Sequence, residues 1–194
     1  MRFSPAVAFA LIAVSIFAFT ACADDKPQPN LTTPPVKGDK ASDFTLNTPA
    51  GDAVSLSKLL KDGPVVLVML RGWPGYQCPI CTRQVAEFMA SAKEIEKAGA
   101  RVLLVYPGPA EKLKEHADEF RRGKELPGNF YFVIDPDYKF TNLYALRWDA
   151  PKETAYPSTF VIDRDGTIKF AQTSKTHGGR ASAAKVIEVL NEGK

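Results

Sequence analysis

Cys78 and Cys81 are the residues whose type and spacing most directly support chemistry. They form Cys78-Pro79-Ile80-Cys81. An i, i+3 pair falls within one helical turn, so the two sulfurs can meet and close a small disulfide. A bridge that staples a secreted domain usually closes a longer loop, where the entropic gain is larger. A pair this close therefore reads as a working dithiol. The thiolate is the reactive form, and a free cysteine ionises near pH 8.5. A helix N-terminus offers unpaired N–H groups and partial positive charge, both of which favour the anion. Pro79 suits such a start, because its missing N–H is one that the first turn leaves unpaired anyway. Arg71 and Arg83 lie close in sequence and are candidates to add positive potential.

Other uses of the pair fit less well. A zinc site needs two further Cys or His ligands. Beyond the leader the chain offers no other Cys, and only His116 and His177. A copper chaperone of the Sco type would take the pair plus one His, and His177 is the candidate. Its plainer reading is a polar loop residue in Thr176-His177-Gly178-Gly179. His116, in EKLKEHADEF, reads as part of a charged helix surface. No metal or cofactor is expected.

The elements that must position the sulfurs are legible nearby. Phe44 to Leu46 and Ala53 to Leu56, joined through Pro49 to Asp52, predict a β-hairpin, and Leu56 to Leu60 a short helical turn. Pro64 to Leu70 (PVVLVML) is a continuous apolar, β-branched run, as expected of a strand buried on both faces. The cysteines follow at once. From 80 to 98, Val85, Phe88, Met89, Ala92 and Ile95 share a helical stripe, with Gln84, Glu87, Lys93 and Glu96 off it and Gly99 as the stop. Val102 to Tyr106 predicts a second buried strand, broken by Pro107-Gly108-Pro109. A charged helix is expected from about Ala110 to Arg122, and a third strand from Tyr131 to Ile134. A short helical segment is expected from Tyr138 to Tyr144. Thr159 to Ile162 and Thr167 to Ala171, around Asp163-Arg164-Asp165-Gly166, predict a second hairpin. Ala183, Val186, Ile187 and Leu190 predict a closing helix from about Ala181 to Asn191. This order implies an α/β sheet with helices on both faces. Sites in such sheets lie beyond the carboxyl ends of the strands, which is where the cysteines fall.

The chain's 194 residues suggest one domain with extras, and 45% hydrophobic residues can bury a sizeable core. The net charge of +3 is spread without a basic block, which gives no electrostatic case for nucleic acid. Residues 1–23 read as an export signal: Arg2 is the positive start and Ala6 to Ala21 an uncharged apolar run, short for a membrane span. Two cleavage readings stand side by side. Phe19-Thr20-Ala21-Cys22 is similar to a lipobox, which would make Cys22 the acylated first residue of a lipoprotein. Ala21-Cys22-Ala23 also fits cleavage before Asp24. Either way the protein is expected outside the cytoplasm, in the periplasm or anchored by lipid and facing it. Residues 24–40, rich in proline and polar side chains, predict a disordered tether, and 41–194 the folded domain.

Taken in order, ASDFTL, VVLVMLRGW, QCPICTRQ, FVIDPD and YPSTFVIDRDGTIKF resemble the redoxin, or AhpC/TSA, branch of the thioredoxin superfamily over roughly Ala41 to Leu190. The resemblance implies a thioredoxin fold, a central mixed sheet flanked by helices, with an N-terminal β-hairpin extension. The peroxiredoxin motif Pro-x-x-x-Thr-x-x-Cys reads here Pro74-Gly75-Tyr76-Gln77-Cys78-Pro79-Ile80-Cys81. Cys81 thus matches the peroxidatic cysteine and Pro74 the motif proline, while Cys78 stands in the Thr position. Many relatives carry Arg-Gly-x-Trp-Cys-Pro-x-Cys, and here the loop before the pair is longer. Exported thioredoxin relatives of the TlpA type carry a CxxC faced by a cis-proline, and Pro157 matches that proline. Peroxiredoxins carry an arginine there, so its charge would have to come from Arg71, Arg147 or Arg180.

Two mechanisms follow. In one, Cys81 attacks a peroxide and Cys78 resolves the sulfenic acid as a disulfide. In the other, Cys78, nearer the helix start and expected to be the more exposed sulfur, attacks a protein disulfide and Cys81 resolves. Both need an external dithiol, which the resemblance implies is a thioredoxin-like protein or a membrane reductase. A tethered binding module without activity is a third class. Trp73 and Tyr76 flank the pair as substrate-shaping candidates, and Trp148 is expected near Pro157.

Overall fold

The structure, a computed structural model, describes Met1 and residues 30–192. The remaining signal residues, Cys22 among them, and residues 24–29 of the expected tether lie outside the described residues.

Seven strands form one sheet. Hairpin β1 (Thr45–Asn47) and β2 (Ala53–Ser55) leads into α1 (Leu56–Asp62) and β3 (Val65–Met69). Then come α2 (Pro79–Ala90), α3 (Ala92–Lys97), β4 (Arg101–Gly108), α4 (Leu113–Arg121), β5 (Phe130–Pro136) and α5 (Lys139–Leu143). Hairpin β6 (Ser158–Ile162) and β7 (Ile168–Thr173), then α6 (Ala183–Asn191), close the chain. The order across the sheet is β2-β1-β5-β4-β3-β6-β7. β3, β4 and β5 run parallel, and β6 and β7 add antiparallel. The central strand β3 is buried at every position, which is why its sequence is apolar without alternation.

The two faces of the sheet carry separate cores. Val66, Val68, Val102, Leu104 and Tyr106 meet Phe88, Ile95, Phe120 and Val186 from α2, α3, α4 and α6. Leu67, Met69, Leu103 and Val105 meet Leu56, Leu59 and Phe140 from α1 and α5, and Tyr144 at the C-cap of α5. Each such Val or Leu contributes on the order of 1.5–3 kcal/mol on burial. This tight frame holds the end of β3, and so the cysteine segment, in place. Buried Asp135 anchors α5: its carboxylate accepts the N–H groups of Phe140 (2.8 Å) and Thr141 (2.9 Å).

The structure departs from the sequence expectations at four places. The helix expected through 80–98 breaks at Ser91, whose φ of −95° and ψ of 9° end α2 and start α3. Serine is a poor interior helix former, and the break still leaves Ala92 and Ile95 facing the core. Gln84, placed off the apolar stripe, is buried. Its amide oxygen accepts from Arg180 there. The expected tether is docked over its last part: Leu31 N–H donates to Leu143 O, Gly38 N–H to Ile168 O, and Lys40 bridges Thr167. Leu143 ends α5, whose last carbonyls have no partner within the helix, and Ile168 lies on β7, the open sheet edge, whose backbone groups recruit a passing segment. Finally, no cis peptide bond occurs among the described residues, so Pro157 is trans. Tyr156 N–H donates to Leu146 O at 2.8 Å, and Pro157 O accepts from Ser174 N–H at 2.9 Å, which keeps the chain extended into β6.

Candidate active site

The cysteines sit where β3 hands over to α2. Leu70 N–H still donates to Val105 O, continuing the ladder, and Trp73 N–H donates to Pro107 O. Between them the backbone passes so close to β4 that only glycine fits. Gly72 has a φ of +68°, and a Cβ there would lie 1.8 Å from Pro107 O. The loop then runs through half-buried Trp73 and Pro74 to exposed Tyr76 and half-buried Gln77. Cys78 is the N-cap of α2, with Pro79 at its first position. The backbone N–H of Cys81 donates to Cys78 Sγ at 3.3 Å, so the sulfur takes the role usually played by a capping oxygen.

Both thiols are free and buried, Cys78 at 3% exposure and Cys81 at 1%. Cys78 is thus not the open sulfur expected from its place nearer the helix start. Cys81 Sγ accepts from the backbone N–H of Arg71 at 3.3 Å and from Arg180 Nη2 at 3.4 Å. Arg180 also donates through Nη1 to Gln84 Oε1 at 2.7 Å and through Nε to His177 O at 3.1 Å.

The two sulfurs titrate as one unit. The Cys78 thiol is pulled down to about 5, first by the hydrogen bond from the Cys81 thiol, against the opposing effect of burial. The N–H of Cys81 and the charge of Arg180 also favour its anion. The Cys81 thiol is pushed up well above its ordinary range, because it donates that bond and is buried. At neutral pH the pair therefore holds one negative charge and one proton.

Arg71 plays a different part from the one expected. Its side chain is turned away to Glu153 Oε2 (2.9 Å), Lys152 O (2.7 Å) and the Tyr76 hydroxyl, and only its backbone serves a sulfur. Glu153 Oε1 meets His177 Nε2 at 2.8 Å. Burial alone would push the Glu153 carboxyl up, but the bonds from Arg71 and His177 outweigh it and hold it below its usual range. Arg147 is occupied with Tyr138, Trp148 O and Thr154 O. Arg83 is exposed on α2. Of the arginines considered, Arg180 is the one whose guanidinium reaches a sulfur.

Aromatic side chains wall the site. Trp73 stacks on His116 with ring centroids 3.8 Å apart, and Trp148 stacks on Tyr156 at 5.0 Å, next to Pro157. His116 is thus tied to the site rather than being a bystander. Behind the pair, the Tyr106 hydroxyl donates to Gln77 Oε1 at 2.9 Å, and Gln77 Nε2 donates to His116 O at the same distance. Burial pushes the Tyr106 phenol up, so it stays a donor. Pro157 is buried beside Ser158, which pairs with Met69, so it lies at the sheet end that carries the cysteines. Among the described residues no group of three His, Cys, Asp or Glu side chains gathers as a metal site. A cavity of about 540 Å³, lined by Pro64, Gly99, Val161, Arg164, Lys169 and Leu190, opens at the opposite end of β3. It is not part of the thiol site.

Gln84, Glu153 and the stacking of His116 were missed from sequence. Gln84 had a local signal, since it follows Cys81 by three residues and shares its side of the helix. Glu153 had none.

The comparisons with known proteins agree with this geometry. The model of the AhpC/TSA family matches residues 37–171. The chloroplastic peroxiredoxin Q of Oryza sativa subsp. japonica is 32% identical over 134 residues, which is 69% of this chain and 57% of that protein. The chain thus spans little more than half the length of its rice relatives. A protein of Mycobacterium tuberculosis bearing the name peroxiredoxin is 32% identical over 146 residues, covering 73% of this chain and 87% of that one. Among solved structures, peroxidoxin BcpB from Mycobacterium tuberculosis superposes with a TM-score of 0.66 at 25% identity, covering 82% of this chain and 98% of its own. The yeast mitochondrial 1-Cys peroxiredoxin shares the fold, with a TM-score of 0.63 at 20% identity over 80% of this chain and 74% of that one. A thiol pair at the tip of α2, on a thioredoxin-fold sheet matched along most of its length, makes this chain a member of the AhpC/TSA family.

Proposed function

We propose that the protein is a thiol peroxidase that reduces a small peroxide through Cys81 and closes a Cys78–Cys81 disulfide. The observation that carries this reading is the burial of both sulfurs, Cys81 at 1% and Cys78 at 3% exposure, with Cys81 Sγ held by one backbone N–H and one guanidinium. A peroxide of a few atoms can enter such a site, whereas a folded protein's disulfide needs an open sulfur. The relatives named as peroxiredoxins support the same class.

The chemistry balances with the proton the pair retains. The shared proton first passes from Cys81 Sγ to the Cys78 thiolate, and the Cys81 thiolate so formed, held by the Arg71 N–H and Arg180, attacks the terminal oxygen of ROOH. An S–O bond forms, the O–O bond breaks, and the electron pair leaves on RO⁻. The Cys78 thiol hands its proton to RO⁻, which departs as ROH. Cys81 is then a sulfenic acid and Cys78 a thiolate. Cys78 attacks Cys81, releases hydroxide and leaves the disulfide. An external dithiol, thioredoxin-like or a membrane reductase, returns two electrons by exchange. The export signal read in residues 1–23 puts the reaction in the periplasm, with Cys22 as the lipid anchor if the lipobox is used.

A second reading is TlpA-like disulfide exchange led by Cys78. It is favoured by the ready ionisation of that thiol, pulled down to about 5, and its place at the helix cap. Two single variants separate the readings. Cys81→Ser should abolish peroxide consumption in a coupled assay, and Cys78→Ser should leave a single oxidation of Cys81. Full turnover in Cys81→Ser, or mixed disulfides trapped through Cys78 in that variant, would replace the first reading by the second.

A further inference from the structure

We propose that Arg180 is a catalytic residue of this site, delivered from the β7–α6 connection, and that Glu153 and His177 position it. The inference rests on the peroxidase reading above.

Among the described residues, Arg180 is the one whose cationic side chain hydrogen-bonds a sulfur. Arg71 is neutralised by Glu153, at 2.9 Å. Arg180 has no carboxylate within ion-pair distance among the described residues; its contacts are Cys81 Sγ, Gln84 Oε1 and His177 O. A guanidinium held by two neutral acceptors keeps its full charge for the third partner, the reacting sulfur. During attack, negative charge moves from Sγ to the departing oxygen a bond or two away. A fixed guanidinium beside that path stabilises the transition state more than the ground state.

The connection is built to hold this one side chain. Ser174 N–H donates to Pro157 O at 2.9 Å, and Ser174 Oγ donates to Thr176 O at 3.0 Å. Gly179 turns the chain with a φ of +64°, and a Cβ there would press Ser174 Oγ at 3.0 Å. Gln172 Nε2 donates to Gly179 O at 2.7 Å, and Ala183 N–H to Glu87 Oε1 at 2.7 Å, pinning both flanks.

A closed circuit sets the aim. It runs from Cys81 Sγ to the Arg71 N–H, through the Arg71 side chain to Glu153, on to His177, and from the His177 carbonyl to Arg180, which returns to Cys81 Sγ. His177 therefore acts through Arg180 and does not touch the sulfur in this arrangement.

The test measures the bimolecular rate of peroxide reaction under single turnover, with the pH midpoint of the first thiolate as a second readout. Arg180→Ala should lose about 10²–10³-fold in rate, and added methylguanidinium should restore part of it without accelerating the wild type. His177→Ala should slow the wild type but cost nothing further in the Arg180→Ala background, since it acts through that residue. A rate for Arg180→Ala within twofold of wild type, or no response to methylguanidinium, overturns the proposal. Should Arg180→Ala fail to fold, Arg180→Lys decides: it should lose tenfold or more for want of the planar fork, and wild-type speed overturns the idea. If the wild type itself consumes no peroxide, the peroxidase reading falls. Arg180 is then judged on the thiolate midpoint, which must rise in Arg180→Ala for its role at the sulfur to stand.

Discussion

Replacing Arg71 by methionine probes how far the site is part of the fold. Its side chain is 3% exposed and its partner Glu153 12%. The substitution removes the Nε–Oε2 contact at 2.9 Å and leaves Lys152 O and the Tyr76 hydroxyl without their donors. Glu153 keeps only His177. An exposed pair would be worth about 0–1 kcal/mol. Breaking a buried pair from one side costs about 3–5 kcal/mol, because a charge stays behind without its partner. For a domain of this size each kcal/mol moves the melting temperature by about 2–4 °C. The expected fall is therefore roughly 6–20 °C, from the same magnitudes. Urea unfolding with a shared slope gives the free energy directly. Arg71→Met with Glu153→Gln should cost at least about 1 kcal/mol less than the sum of the single changes. A loss under about 1 kcal/mol for Arg71→Met, or strict additivity in the cycle, would mean the pair behaves as a solvated surface bridge, and the reasoning from burial fails.

Two further outcomes follow from the same geometry. The reduced protein should gain one thiolate as pH rises through about 5, read by ultraviolet absorbance and lost in Cys78→Ser. Below that pH the pair is uncharged, so peroxide consumption should fall on the acid side; a first thiolate appearing only near pH 8.5, the range of a free thiol, contradicts the paired titration. Gly72→Ala should destabilise by more than the roughly 1–2 kcal/mol of a left-handed alanine, since its Cβ would also meet Pro107 O at 1.8 Å. A melt within 2–4 °C of wild type, the shift of about 1 kcal/mol, would show that the loop and β4 part freely.

Much of this protein is written locally in its chain. The apolar run of β3, the stripe Val85–Phe88–Ala92–Ile95 and the Cys-Pro-Ile-Cys start of α2 each report periodicity and propensity over a few residues. These placed the thiol pair at a strand end and a helix tip before any tertiary contact was known. The charge that serves the pair was not legible in the same way. Arg180 reaches Cys81 across 99 positions, and Arg71 reaches Glu153 across 82. Three arginines were equal candidates, and only the register of β6 on β3 and the turn at Gly179 selects among them. That Cys78 is covered was likewise decided by packing, since it lies in one core cluster with Leu70, Phe88 and Tyr106. Short-range pattern dictates which elements form and what chemistry they carry. The partners of that chemistry come from packing, because residues distant in sequence meet only once the sheet has set their places.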